Sequence, residues 1–151
     1  MTAKVEYAIR ACLQLAADAA AGPVTAARIA EEQDIPLKFL HAVLTELKRA
    51  RLVLSTRGSG GGFLLARSAD DISVADVFRA IDGPMLTVRD RGLSDLRYQG
   101  AAEPLLELWL ATRTSLRDVF ERTTLADIVR RELPTAVTEL AERYREDRRH
   151  E

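Results

Sequence analysis

Apolar positions at the start of the chain recur with a helical period. Val5, Ile9, Leu13 and Ala16 follow one another at spacings of four and three, with Ala8, Cys12 and Leu15 beside them. Residues 3–20 therefore read as a first helix, stopped by Gly22-Pro23. Thr25 can cap a short second helix over Ala26–Gln33, and Asp34-Ile35-Pro36 makes a turn. A third helix is expected from Pro36 to Ala50, with Leu37, Leu40, Leu44 and Leu47 on one face and Val43 adjoining. Lys38, His41, Ala42, Thr45 and Lys48 fall on the opposite side. The pattern then changes. Leu52-Val53-Leu54-Ser55-Thr56 and Phe63-Leu64-Leu65-Ala66 are short apolar runs around a glycine-rich loop, the signature of a β-hairpin.

Ser73-Val74-Ala75-Asp76 is a capping box that opens a fourth helix, Val74 to Asp82, before Gly83-Pro84. Ile72 and Val77 have the spacing of a hydrophobic staple. Residues 85–103 are irregular: a loop, a short helix from Leu93 to Tyr98, or partly disordered. Pro104 starts a long helix in which Leu105, Trp109, Thr112, Leu116 and Val119 form an a/d seam, with Thr112 its polar member. Leu106 and Leu110 widen the apolar face, so the helix is expected to pack on its own core and on a second copy of itself. Thr124-Leu125-Ala126-Asp127 is another capping box, opening a short helix that ends before Pro134. A last amphipathic segment, Val137, Leu140, Ala141 and Tyr144, fades into a charged tail from Arg145 to Glu151. The expected fold is mainly α with a small β-hairpin. Its expected division is 1–84, a connector or sensor at 85–103, and a dimerisation helix with C-terminal helices at 104–151.

A helix followed at once by a basic, flexible hairpin is the order of a winged helix-turn-helix. There the second helix of the motif enters the major groove by its N-terminal part. Lys38, His41, Ala42 and Thr45 are the candidates for base readout, since Lys and His can donate to guanine and Ala can touch a thymine methyl. Phe39 reads as packing beneath the turn, with the DNA backbone as its alternative, and Thr25 joins the candidate contacts from the second helix. In the loop Arg57-Gly58-Ser59-Gly60-Gly61-Gly62, glycines let the backbone lie close to a ligand and Arg57 can reach into a minor groove. Gly61 is expected to need positive φ or close approach to DNA. Two competing motifs fail. A phosphate-binding loop needs Lys and Ser or Thr after its last glycine, where Phe63-Leu64 stands, and a dinucleotide fingerprint needs a third glycine at position 63. A tight turn without a partner, and a winged helix that docks proteins, stay open.

Charge sharpens this picture. Net charge is -1, but residues 36–67 hold six basic residues against Glu46 alone, net +5, while the rest holds 16 basic and 22 acidic, net -6. A basic segment on an acidic protein is the footprint of polyanion binding. At 151 residues and 47% hydrophobic, the chain suits one domain, or one small domain plus an appendage. No signal peptide is read, and no apolar run approaches bilayer length. A single cysteine, Cys12, fits a reducing cytoplasm, and it reads as a buried thiol with redox sensing as the alternative. With two histidines, His41 and His150, and one cysteine, no catalytic constellation and no metal set is expected.

The segment from Val24 to Pro84 resembles the Rrf-two family of bacterial winged-helix regulators, of the IscR/NsrR type. The carrying residues are Ile29-Ala30-Glu31, Ile35, Phe39-Leu40, Leu44, Leu47 and Leu52-Val53. Arg57-Gly58-Ser59-Gly60-Gly61-Gly62-Phe63-Leu64-Leu65-Ala66 is the strongest part, and Ile72, Asp76-Val77 and Ala80-Ile81-Asp82-Gly83-Pro84 complete it. A looser likeness continues over the helix from Pro104, which in the family is the dimerisation helix. The resemblance implies a homodimeric transcriptional regulator of double-stranded DNA, a repressor more than an activator. Two departures stand out. Cluster-bearing members carry three cysteines between the fourth helix and the dimerisation helix, where Met85 to Glu103 has none. Asp90, Asp95 and Glu103 are poor replacements, so no iron–sulfur cofactor is expected. His41-Ala42 stands where the best-known cluster regulator has Glu-Gln, so the operator is not carried over. The signal is left open between a small ligand, a protein partner and thiol chemistry at Cys12.

Overall fold

The first helix, α1 (Ala3–Ala17), is the hub of the molecule. A computed structural model describes residues 1–88 and 92–149. Thr2 caps α1, its hydroxyl accepting from the Val5 amide at 3.3 Å. Four further helices and a hairpin strand gather round it: α2 (Ala26–Gln33), α3 (Leu37–Arg49), α4 (Val74–Asp82), α6 (Leu125–Arg130) and β2 (Gly62–Leu65). This changes which residues of α1 are innermost. Val5, Ala8, Ala11, Cys12 and Leu15 are buried, whereas Ile9, Leu13 and Ala16 of the expected stripe are half-buried. Small side chains lie innermost because neighbouring helices approach on several sides. The helix is also shorter than expected. It stops at Asp18, a separate 3-10 turn spans Ala19–Ala21, and Gly22 follows with φ +92°.

Helices α2 and α4 occupy the expected residues, and their caps explain why. The Thr25 hydroxyl accepts from the Arg28 amide at 3.2 Å. Ser73 and Asp76 form the reciprocal box, and the staple pair Ile72 and Val77 are both fully buried. In α3, Leu40, Val43, Leu44 and Leu47 enter the core, but Leu37 is 44% exposed. Leu37 sits on the first turn, where the helix has not yet reached its neighbours' cover.

The hairpin pairs β1 (Val53–Thr56) with β2 antiparallel, in the register Val53↔Leu65 to Thr56↔Gly62. Val24 adds a one-residue third strand: its amide donates to the Phe63 carbonyl at 2.9 Å, and the Phe63 amide donates back at 2.8 Å. After α4, Leu93–Asp95 is a single 3-10 turn rather than a helix to Tyr98, held by the buried Leu93 and Leu96. The long helix α5 (Leu105–Phe120) follows, then α6, then α7 (Thr135–Asp147). Helix α7 continues through Arg145 to Asp147, into the segment expected as a charged tail; His150 and Glu151 lie outside the described residues. Helix α6 folds back so that Leu125 is fully buried in the core beside α1. A division at residue 104 therefore separates parts that share one core.

Candidate DNA interface

Helix α3 turns one face into the core and leaves the other bare. Lys38, His41, Ala42, Thr45 and Lys48 are all exposed. Thr45 spends its hydroxyl on the His41 carbonyl at 2.9 Å, so its methyl rather than its hydroxyl is left to an outside partner. Among the described residues, no carboxylate lies within ion-pair distance of Lys38, Lys48 or Arg57. Phe39 is not packed beneath the turn. It is 56% exposed, its ring 6.5 Å from that of Tyr7. Position 39 lies on the exposed first turn and points away from the Leu40–Leu44 face.

The turn before α3 is fixed from α1, by a residue that the sequence pattern did not single out. The Arg10 guanidinium donates to the carbonyls of Gln33 and of Asp34, the latter at 3.2 Å, and lies 5.4 Å over the Tyr7 ring. Asp34 ends α2 in the left-handed conformation, φ 50°. Arg10 thus covers carbonyls that the end of α2 leaves without helical partners. An arginine on a helix carries no local sign of such a distant role.

The wing tip, Arg57-Gly58-Ser59-Gly60, is exposed. Gly58 and Gly60 have φ +90° and +76° with open space where a side chain would stand, so backbone conformation selects glycine there. At Gly61 the positive φ is not found, and a Cβ would stand 2.6 Å from the Thr56 carbonyl oxygen and 2.9 Å from that of Gly58. The hairpin's own backbone is the reason for this glycine. Gly62 is crowded too, with a Cβ falling 2.6 Å from the Val24 carbonyl and 3.0 Å from the Thr25 nitrogen. The base of the wing thereby sits against the N-terminus of α2, which brings Thr25 next to the wing.

Leu105, Trp109, Thr112, Leu116 and Val119 share one half-buried face of α5. Much of its cover comes from the same copy, through α4, α7 and the Leu93–Asp95 turn. The Trp109 indole donates to the Tyr98 hydroxyl at 3.1 Å, and Thr112 bonds within its helix, to the Leu108 carbonyl. Leu108 and Leu110 are the more open leucines, 55% and 42% exposed.

Cys12 is fully buried, and desolvation pushes its thiol up to about 12. In the connector, Asp95 and Glu103 are exposed and Asp90 lies outside the described residues. Among the described residues, no three His, Cys, Asp or Glu side chains are grouped to hold a metal ion. The one thiol is sealed in the core and the connector's sequence supplies no other, so these residues do not fit a thiolate-held iron–sulfur cluster.

Residues 1–131 match the family model described as Rrf2, iron-dependent transcriptional regulator. The chain belongs to the Rrf2 family. An HTH-type transcriptional regulator of Mycobacterium tuberculosis is 49% identical over 152 residues, covering 99% of this chain and 94% of the relative. The HTH-type transcriptional regulator IscR of Escherichia coli is 35% identical over 130 residues, 85% of this chain and 79% of that one. Among solved structures, CymR, the global cysteine regulator of B. subtilis, superposes with a TM-score of 0.72 at 28% identity, covering 85% of this chain and 95% of CymR. IscR of T. potens gives 0.69 at 30% identity, covering 86% and 85%. This Rrf2 protein is therefore a DNA-binding transcriptional regulator of winged-helix fold. No helix among its described residues is long and apolar enough to cross a membrane.

Proposed function

We propose that this Rrf2 protein is a dimeric, operator-specific repressor of the cytoplasm that works without an iron–sulfur cluster and has no enzymatic activity. The observation that carries the reading is the bare face of α3. Lys38 and Lys48 stand free of carboxylates beside His41, Ala42 and Thr45, the charge and shape that a major groove accepts. In this reading α3 reads bases, Arg57 enters the minor groove, and Ser59 and the glycine backbone follow the sugar-phosphate edge. Thr25, at the start of α2 beside the wing, meets a phosphate. Phe39 lies over the backbone next to Lys38.

Residues 1–84 form the DNA-reading part, 85–103 the connector, and 104–151 the dimerisation part, with α6 returned to the first. The α5 face from Leu105 to Val119, bordered by the open Leu108, meets a second copy. A buried thiol pushed up to about 12 is a poor redox sensor, so the signal is a small molecule or a partner protein.

The test is retention of DNA from the region upstream of the protein's own gene, followed by titration against that duplex and a scrambled one at several salt concentrations. Sequence-dependent binding with a steep salt slope is expected. Equal binding to both duplexes, or none, would leave the winged helix as a protein-docking module.

A further inference from the structure

The last turn of α3 borders a second surface of the molecule. This turn, with the N-terminus of α1 and with α4, encloses an open cleft of about 550 Å³. Lys4, Arg49 and Arg79 line it, with Glu46 the one acidic lining residue. Lys4 is in close ion contact with Glu46. Arg79 reaches Asp76 at 3.4 Å and is in close contact with Glu121, at the end of α5. Arg49 is exposed and has no acidic partner among the described residues. A second cavity of about 310 Å³ continues the cleft past Arg79 to Arg67 and Asp76. Together the two hold the four cations Lys4, Arg49, Arg67 and Arg79 against Glu46 and Asp76, and with Glu121, which pairs Arg79 from outside the cleft, the surplus is one positive charge, that of Arg49. The carbonyls at the end of α3 disfavour an anion, so an occupant must bridge Arg49 to Arg79 or Lys4 and share those two with their carboxylates.

We propose that this cleft binds a small multivalent anion, a di- or tricarboxylate or a phosphate, through Arg49, Arg79 and Lys4. Its volume lies within the range of small-ligand sites. It adjoins the DNA-reading face of α3 without sharing its residues: Arg49 lies about 100° round the helix from Lys48 and about 16 Å along the axis from Lys38. Arg79 joins the cleft to Glu121 on α5, so an occupant that draws on Arg79 alters the link between the reading helix and the α5 face. This coupling rests on the DNA reading assigned to α3; the site itself does not.

Calorimetric titration of the whole protein with inorganic phosphate and, separately, with citrate tests the site, at ionic strength held constant with chloride. Saturable binding of at least one is expected, and the stronger binder separates the phosphate from the carboxylate source. Arg49→Gln should weaken it about tenfold or more, whereas Lys48→Gln, one residue away and outside the cleft, should leave it unchanged. No saturable heat from either anion overturns the site, and so does an equal loss in both variants, which marks diffuse charge. A further arm repeats operator titration with and without the bound anion. An altered operator affinity in the unmodified protein, absent in Arg49→Gln, supports the coupling. An unaltered affinity removes the coupling and leaves the site. A protein that holds the anion but no DNA removes the repressor reading instead.

Discussion

Ser73 and Thr124, the caps of α4 and α6, stand opposite each other as a bridge pair. The Val74 amide donates to the Thr123 carbonyl at 2.9 Å, and the Leu125 amide to the Ile72 carbonyl at 2.9 Å. Each residue also closes a capping box, with Asp76 and with Asp127. Two helices 51 positions apart thus start from one hydrogen-bonded point. Ser73→Ala and Thr124→Ala should each cost about 1 kcal/mol. Their double-mutant cycle should depart from additivity by at least about 0.5 kcal/mol, since the caps share a bridge. Urea denaturation of the four proteins measures it, and strict additivity would show two independent caps.

At the wing, Arg57→Ala should leave the fold unchanged, because the side chain is exposed and forms no ion pair among the described residues. Operator affinity should fall by roughly 1–3 kcal/mol, with a shallower salt slope and a weaker preference for A·T pairs at the flanks. Binding curves at several salt concentrations decide this. Lys38→Ala or His41→Ala should instead relax discrimination within the half-site.

Gly61→Val and Gly62→Ala should damage the wing with no DNA present. Both added side chains meet backbone of the chain itself, at 2.6 Å. Gly60→Ala meets nothing within 4 Å and carries only the strain of φ +76°, about 1 kcal/mol. Hydrogen exchange of the hairpin amides should rise for the first two variants and change little for the third.

Trp109→Glu combined with Leu116→Glu should yield monomers, read by light scattering. Because the same face is half-buried within one copy, some loss of thermal stability is also expected. Trp109→Phe separates the effects. It removes the bond to Tyr98 and keeps the apolar face, so the dimer should persist.

The Cys12 thiol should resist alkylation in the native protein and react at once in denaturant. Its folded value, about 12, lies above the ordinary 9.0. The stabilisation that goes with the neutral buried thiol is therefore whole below pH 9 and is lost as pH rises towards 12. Cys12→Ala should flatten that alkaline decline, as denaturation across this range would report.

The limits of α2 and α4 were legible because their caps are written in side chains, Thr25 and Ser73. The bare face of α3 was legible because four apolar residues already claim the opposite side. The depth of α1 was not, since periodicity locates a stripe but says nothing of how many neighbours a helix will have. Val24 gave no signal because a single-residue strand has no period. Gly61 and Gly62 announced a turn, yet contacts within the wing and with the start of α2, not positive φ alone, decide why glycine stands there. Phe39 and Leu37 misled because apolar residues on a first turn look like core until the cover is known.

Helix α1 leaves the ribosome well before the helices that enclose it. Its neighbours α4 and α6 follow it by more than fifty residues, and Leu125 joins its core only after the wing and α4 have emerged. Until then the side of α1 that α6 covers lies open to water. A truncated product that stops short of α6 carries the whole of the wing and the reading helix and still lacks the lid of its core. Such a fragment exposes apolar surface that the complete fold keeps from water.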